Sequence, residues 1–238
     1  MTPSYHRQEC RCRQSSTLLI ISIVMAVFAL VCMRKKLHQV SCIMIVVSLI
    51  SMLAAGYLIW DNIQGDISAE KDSALVVETL ACEIPDVRED EISYNEDLIP
   101  NFELDANRDM PEVEIAGGKY IGIVEIPSLG LTLPVQSEWS KAGAAKAPCR
   151  YTGSVYNGNC IIAAHNFKSH FGNIKLLSAG DEVKFTDAEG NIFPYTVSET
   201  ETLEGCDVEG MLAGDWDLTL FTCTPGGQKR VTVRCQKA

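Results

Sequence analysis

The chain has 238 residues, enough for one compact domain with additional segments or for two small domains. Its net charge of −11 argues against a nucleic-acid-binding protein, because such proteins need a basic surface to face phosphates. Its ten cysteines include no C-x-x-C pair, and their spacing fits no metal site.

Two uncharged apolar segments lie near the N-terminus, at 17–33 and 40–60. As helices rising about 1.5 Å per residue they would reach roughly 25 Å and 30 Å, so the second can cross a bilayer and the first is marginal. Buried core helices are a weaker explanation, because segments this apolar are rare in small soluble domains. A cleaved signal peptide is the alternative for the first segment, but no small-x-small cleavage site precedes Arg34.

The charges beside the second segment predict its orientation. Arg34, Lys35 and Lys36 precede it, whereas Asp61 and Asp66 follow it. The positive-inside rule then places residues 61 onward outside the cytoplasm. Basic residues before the first segment also favour the cytoplasm. A two-span hairpin would instead place them outside, so whether the first segment spans the membrane is left undecided. We therefore interpret residues 1–60 as a membrane anchor.

Residues 61–116 are rich in Asp and Glu, poor in Lys and Arg, and interrupted by Pro85, Pro100 and Pro111. A segment of this composition has too little apolar surface to offset its ordering entropy, and its like charges keep it extended. We predict an acidic stalk or linker, with one short helix at 67–82, and a fragment starting near Gly117 that folds alone. The alternative is that part of this segment covers the active site as a lid.

From Gly117 to the C-terminus, short β-branched and apolar segments alternate with turn residues. This pattern predicts a mainly β catalytic domain over 117–238, a closed β-barrel of seven to eight strands with short helices. Strands are predicted at 120–126, 131–135, 160–164, 182–186, 193–200, 217–222 and 230–235, and short helices at 137–147 and 171–177.

Three residues with catalytic potential fall at the ends of predicted strands. His165 follows one strand, Cys223 ends another, and Arg230 begins the strand after Cys223. Side chains at strand ends are held by the rigid sheet and still reach a cleft. Each alone has an ordinary explanation, such as a surface histidine or a buried free cysteine. Together, in a domain predicted to lie outside the cytoplasm, they indicate nucleophilic catalysis.

The surrounding sequence resembles the sortases, a family of cysteine transpeptidases. AAHN at 163–166 is similar to the family's histidine motif, TLFTC at 219–223 matches its Thr-Leu-x-Thr-Cys motif, and KRVTVR at 229–234 is similar to its arginine strand. YIG at 120–122, IP at 126–127 and LPV at 133–135 resemble its first two strands. The resemblance covers about residues 117–236 and implies that His165, Cys223 and Arg230 are catalytic.

The resemblance implies that Cys223 cleaves an LPXTG-like sorting signal through a thioester. Arg230 would stabilise the oxyanion, because a guanidinium stays protonated and offers several donors. His165 would protonate the leaving amine. A cell-wall or pilin amine would then accept the acyl group, at the surface of a Gram-positive cell membrane.

The expected partners are secreted proteins that carry the sorting signal, the amine acceptor and membrane lipid, but no nucleic acid. No cofactor is expected. Some sortases carry calcium, but the scattered acidic residues identify no site in this chain. The Thr-Cys-Thr-Pro segment is similar to pilin-assembling sortases, yet residues 61–116 contain no Asp-Pro-aromatic lid motif, so the subclass stays open.

Several alternatives remain at the level of sequence. Arg234 shares a strand face with Arg230 and is the alternative arginine, and His170 is the alternative histidine. Cysteines in the domain allow three disulfide pairings among Cys149, Cys160, Cys206 and Cys235. The alternative functions are a sortase-like domain that mainly hydrolyses peptides and a catalytically silent barrel that binds the cell wall.

Overall fold

The computed structural model describes residues 18, 20–28, 38–84 and 108–238. The chain divides into two compact units. One unit comprises Met1–Gly65 with Pro225–Gly227, and the other comprises Asp66–Thr224 with Gln228–Ala238. The long helix α1, His38–Glu83, contributes residues to both.

The first unit contains helical residues 20–28 and the N-terminal part of α1. The hydroxyls of Ser22 and Ser48 each donate to the other residue's carbonyl oxygen at 3.0 Å. Both serines are buried, whereas large apolar side chains such as Ile43 and Leu53 are 64% and 75% exposed. In the described part of the chain, one helix, Cys42–Glu83, has the length and composition needed to cross a membrane. Of the first predicted span, residues 17, 19 and 29–33 lie outside the described residues.

The second unit is built on nine strands and short helices. The strands are β1 Val113–Ile115, β2 Gly118–Ile126, β3 Leu131–Gln136, β4 Cys149–Thr152, β5 Cys160–Ala163, β6 Glu182–Asp187, β7 Ile192–Glu204, β8 Leu218–Cys223 and β9 Lys229–Lys237. The short helices are α2 Lys141–Ala144, α3 Val208–Leu212 and two 3-10 turns, Pro127–Leu129 and Ile174–Leu176.

Eight of these strands close into a barrel in the order β2-β3-β4-β5-β8-β9-β7-β6, and β6 pairs back onto β2. Closure brings β6 so near β2 that a Cβ at Gly122 would lie 2.0 Å from the Thr186 carbonyl oxygen. Glycine is therefore required there, at a φ of 151°. The predicted closed barrel of seven to eight strands with short helices is confirmed.

Alternate residues of the strands fill the barrel interior, as the period of two requires. The interior includes Ile162 of β5, Leu220 of β8 and Val233 of β9, all fully buried. The neighbouring residues on the same strands, including Ile161 and Phe221, therefore lie on the outer face, where they form a second cluster with Met211 of α3. This alternation sets which residues can face a substrate.

Local structure differs from the sequence predictions at four places. The strands β1 and β4 were not predicted, because β1 has only three residues and the polar pair Arg150 and Thr152 interrupts the apolar pattern of β4. The helix predicted at 137–147 is limited to α2, which begins after the Ser140 cap. The helix predicted at 171–177 is only the 3-10 turn Ile174–Leu176.

Part of the predicted acidic stalk belongs to the same compact unit as the barrel. Residues 66–83 are the C-terminal part of α1, and they bury a stripe of four residues on one helix face: Ala69, Ser73, Val76 and Leu80. Val76 and Leu80 pack with Tyr120 and Ile123 of β2. Residues spaced by three or four positions share a helix face, and the acidic composition concealed this stripe. Residues 85–107 of the predicted stalk lie outside the described residues.

The segment that precedes β1 also contributes to the barrel. Met110 is 4% exposed and belongs to the main core cluster. Arg108 forms an ion pair with Glu189 in the turn between β6 and β7. These contacts argue against the expectation that a fragment starting near Gly117 folds alone, because such a fragment loses both Met110 and the helix that covers β2.

Candidate active site

Strand pairing brings the three predicted catalytic residues to one end of the barrel. Cys223 of β8 and Arg230 of β9 are register partners in an antiparallel pair. β5 runs parallel to β8, with Ala163 opposite Phe221. Two hydrogen bonds continue this pairing beyond β5, from the Ala164 amide to the Phe221 carbonyl (3.1 Å) and from Thr222 Oγ1 to the Ala164 carbonyl (2.8 Å).

This register has a direct consequence for the histidine. His165 follows Ala164, and Cys223 follows Thr222, so the continued parallel register places the two residues side by side where their strands end. Cys223 thus has Arg230 on one neighbouring strand and His165 just beyond the end of the other. Strand pairing fixes Cys223 and Arg230, whereas the last bonds along β5 hold Ala164, the residue before His165.

His165 lies at the start of the loop between β5 and the turn at Ile174–Leu176, and it is half-buried. Its ring contacts that of Phe167, with 5.2 Å between the ring centroids. Burial lowers the pKa of His165. A neutral imidazole is therefore the main form near pH 7, and this form can accept the thiol proton.

Cys223 is 4% exposed and ends β8 just before the hairpin turn. Thr224 and Lys229 close this hairpin, because the Thr224 amide donates to the Lys229 carbonyl at 3.0 Å and the Lys229 amide donates to Thr224 Oγ1 at 3.2 Å. A thiol on a strand held in this way loses little conformational entropy when it reacts.

The two candidate arginines have different surroundings. Arg230 lies opposite Cys223, is 7% exposed, and donates from Nη1 to the Lys229 carbonyl at 3.1 Å. Arg234 lies opposite Thr219, four residues from Cys223, or about 13 Å along an extended strand.

Every guanidinium nitrogen of Arg234 is engaged. Nε donates to Glu201 at 2.8 Å, Nη1 to the Met211 carbonyl at 2.9 Å, and Nη2 to the Gly210 carbonyl at 2.6 Å. Arg234 therefore fastens α3 to the barrel, and the geometry favours Arg230 as the arginine beside the thiol.

His170, the alternative histidine, is fully buried. Its ring packs on the ring of Phe167 with 5.7 Å between the centroids, and Phe167 in turn contacts His165. Burial and, to a smaller extent, the nearby His165 together lower the pKa of His170 to about 4. His170 is therefore a neutral, structural member of the loop that carries His165.

A buried apolar cluster lies on the outer face of the barrel, partly on the strand that carries Cys223. It comprises Ile161, Ala163, Met211 and Phe221, each at most 6% exposed, with Leu203 packed against it. Tyr151 meets Phe221 edge to face at 5.4 Å and is 36% exposed. Sequence analysis did not identify these residues, because their apolar character resembles that of the core and only the strand register assigns them to the outside.

Residues 124–238 match the model of the sortase domain family. This chain carries a sortase domain. The family consists of cysteine transpeptidases, and the match contains His165, Cys223 and Arg230. A search of curated proteins found no significant match.

Solved sortase structures are similar to this chain at low sequence identity. Sortase A from Corynebacterium diphtheriae is 21% identical with a TM-score of 0.47, over 51% of this chain and 61% of that one. A sortase C from Streptococcus pneumoniae is 24% identical with a TM-score of 0.46, over 50% and 66% of the two chains. A sortase D5 transpeptidase from Clostridium perfringens is 22% identical with a TM-score of 0.46, over 58% and 94%. The chain thus spans less than two thirds of the first two proteins.

Cys149, Cys160, Cys206 and Cys235 form no disulfide in the structure, so none of the three pairings left open by sequence is formed. Cys149, Cys160 and Cys235 are buried, and burial raises the pKa of each to about 12. Buried thiols that stay protonated are unreactive. Cys206 differs from these three cysteines because its side chain is exposed. Among the described residues, no group of three or more His, Cys, Asp or Glu side chains is arranged to hold a metal ion.

Proposed function

We propose that this chain is a membrane-anchored sortase that cleaves an LPXTG-like sorting signal and transfers the protein to an amine of the cell wall or of a pilin. One observation carries the proposal: the register of β5, β8 and β9 sets Cys223 between His165 and Arg230 in a domain of the sortase family. These are the residue types that acyl transfer through a thioester requires.

In the acylation step, His165 takes the thiol proton and the Cys223 sulfur attacks the scissile carbonyl carbon. The carbonyl oxygen becomes an oxyanion, and the Arg230 guanidinium donates hydrogen bonds to it. The intermediate collapses, the peptide C–N bond breaks, and His165 returns its proton to the leaving amine. The product is a thioester on Cys223 with His165 neutral again.

In the transfer step, the amine of the acceptor attacks the thioester carbonyl and passes a proton to His165. The new amide forms, the C–S bond breaks, and the proton returns to the Cys223 sulfur. Water in place of the amine would give hydrolysis by the same steps.

The buried cluster of Ile161, Ala163 and Phe221 lies on the face of the sheet that also carries Cys223, and the half-exposed Tyr151 packs on Phe221 at its margin. The LPXTG-like signal itself is proposed from the match to the sortase domain family.

The first unit supports membrane anchoring. Its large apolar side chains are exposed while Ser22 and Ser48 are buried between the helices, which is the arrangement of helices packed within lipid. Arg34–Lys36 before α1 and Asp61 after the apolar segment support a sortase domain outside the cytoplasm, where secreted proteins meet cell-wall amines.

The test is to incubate the full chain in detergent with fluorogenic peptides of the LPXTG type, with and without an amine acceptor such as triglycine. A ligated product that depends on Cys223 supports the proposal. Cleavage without ligation would identify a hydrolase, and no turnover of any peptide together with no thioester would support a silent wall-binding barrel. Cys206→Ala is the matched control, because it removes an exposed thiol of the same domain.

A further inference from the structure

The C-terminal part of α1 contacts the loop that carries His165 at two points. Asp66, at one end of this part, binds Ser169, and Ser73, two turns further on, binds His170. Ser169 and His170 lie four and five residues after His165. Neither contact is needed to cover β2, since Val76 and Leu80 perform that function one to two turns later.

The Ser73 contact defines the state of His170. Ser73 Oγ donates to the Lys146 carbonyl at 2.7 Å, so its single proton is used. The 3.3 Å contact between Ser73 Oγ and His170 Nε2 must then have the imidazole as donor, which assigns the proton to Nε2. The Nδ1 atom has no hydrogen-bond partner among the described residues. The Nε2 side of His170 therefore meets Ser73 and the backbone of Lys146, the carbonyl to which Ser73 itself donates.

The Asp66 contact holds the backbone of the loop. The Ser169 amide donates to Asp66 Oδ1 at 3.1 Å, and the Ser169 hydroxyl donates to the Asp66 carbonyl at 3.2 Å and also contacts Oδ1. Hydrogen bonds to a carboxylate are stronger than those between neutral groups.

The loop can transmit this restraint to His165 through packing. Phe167 lies between the two histidines and contacts both rings, at 5.2 Å and 5.7 Å. Its carbonyl also accepts from the His170 amide at 3.1 Å and the Gly172 amide at 2.7 Å. The Phe171 amide donates to the His165 carbonyl at 3.3 Å. A shift of residues 169–170 would therefore move Phe167 and the ring of His165.

We infer that Asp66 and Ser73 are positioning residues for His165: they hold residues 165–172 so that the imidazole stays beside Cys223. The segment that sequence composition marks as a stalk is thus part of the active-site framework. Only the kinetic consequence rests on the proposed function, since the restraint itself is a property of the folded chain.

The test compares Asp66→Ala and Ser73→Ala in the full chain in detergent. Hydrogen exchange in residues 165–172 should accelerate in both variants, and the ¹⁵N resonances of the His165 ring, assigned with His165→Ala, should shift or broaden. With a fluorogenic peptide, kcat should fall roughly 10- to 100-fold at little change in KM, the scale of loss expected for a misplaced catalytic group.

Two kinds of control separate positioning from stability. Asp66→Asn keeps the oxygen that accepts from Ser169 and should restore most of kcat, whereas Asp66→Ala should not. Ser68→Ala makes the same serine-to-alanine change as Ser73→Ala, but at an exposed position of the same helix. This variant should behave as wild type. Unchanged exchange and ring signals in both alanine variants would overturn the inference, as would faster exchange with an unchanged kcat. If no peptide is turned over, the proposed function fails and the exchange and ring signals still decide the inference.

Discussion

Cys223 and Arg230 face each other as the last register pair of the β8–β9 hairpin. Only the short turn separates them in sequence, so a single hairpin holds the thiol and the guanidinium. His165 comes from a strand about 60 residues earlier and reaches the pair through parallel pairing of β5 with β8. The site is therefore partly local and partly dependent on closure of the barrel.

The two arginines should give distinct phenotypes. Arg230→Ala should lower kcat/KM by roughly 10²–10³ with little change in stability, because it removes the oxyanion donor. Arg230→Lys should recover part of the rate, since an ammonium keeps the charge but lacks the planar fork. Steady-state kinetics with a fluorogenic peptide measures both.

Arg234→Ala should chiefly destabilise the domain, by on the order of 2–3 kcal/mol, because Glu201 and the carbonyl oxygens of α3 lose their donors. Denaturant unfolding measures this loss of stability, and steady-state kinetics of the same variant measures its activity. A larger loss of kcat/KM in Arg234→Ala than in Arg230→Ala, in protein shown to be folded, would reverse the assignment of the two arginines.

The thioester should form only on Cys223. Cys223→Ala should abolish turnover, because the strand register sets Cys223 opposite His165 and the buried thiols of Cys149, Cys160 and Cys235 stay protonated. His165→Ala should lose nearly as much activity, since the leaving amine then departs unprotonated. Intact-mass spectrometry of the acylated enzyme detects the adduct, and peptide mapping that places it on another cysteine would refute the assignment.

His170 should make the stability of the domain depend on pH. Its folded pKa of about 4 lies below the ordinary value near 6.5, so the unfolded chain binds the proton more readily. Stability is fully present above pH 6.5 and declines as the pH falls towards 4, by on the order of 3 kcal/mol at the limit. Denaturant unfolding between pH 4 and 7 should show a smaller decline for His170→Gln, which keeps an N–H for Ser73. Equal slopes for both proteins would show that other groups govern the acid limit.

Fragments of the chain should differ in stability according to whether they keep the C-terminal part of α1. Residues 66–238 should fold, whereas residues 117–238 should be unfolded or severely destabilised, since Tyr120 and Ile123 lose their cover and Met110 is lost from the core. Leu80→Ala in the longer fragment should cost about 2–5 kcal/mol, because Leu80 is fully buried. Circular dichroism and denaturant unfolding measure these differences. A cooperative transition of the short fragment equal to that of the long one would support the spacer interpretation instead.

The sequence by itself determined the features that depend on neighbouring residues. The apolar segment at 40–60, the alternating strands and the motifs around His165, Cys223 and Arg230 are visible because they rest on composition and short-range period. They sufficed for a closed barrel and for the candidate catalytic residues.

Tertiary structure decided what depends on distant partners. Arg230 and Arg234 share one strand face, so only the pairing of β8 with β9 showed which of them lies opposite Cys223. The stripe formed by Ala69, Ser73, Val76 and Leu80 was hidden within an acidic composition, because four buried residues among many charges leave the average polarity almost unchanged. Val76 and Leu80 are buried against β2, which lies about 40 residues away in the chain, and no local pattern encodes that contact.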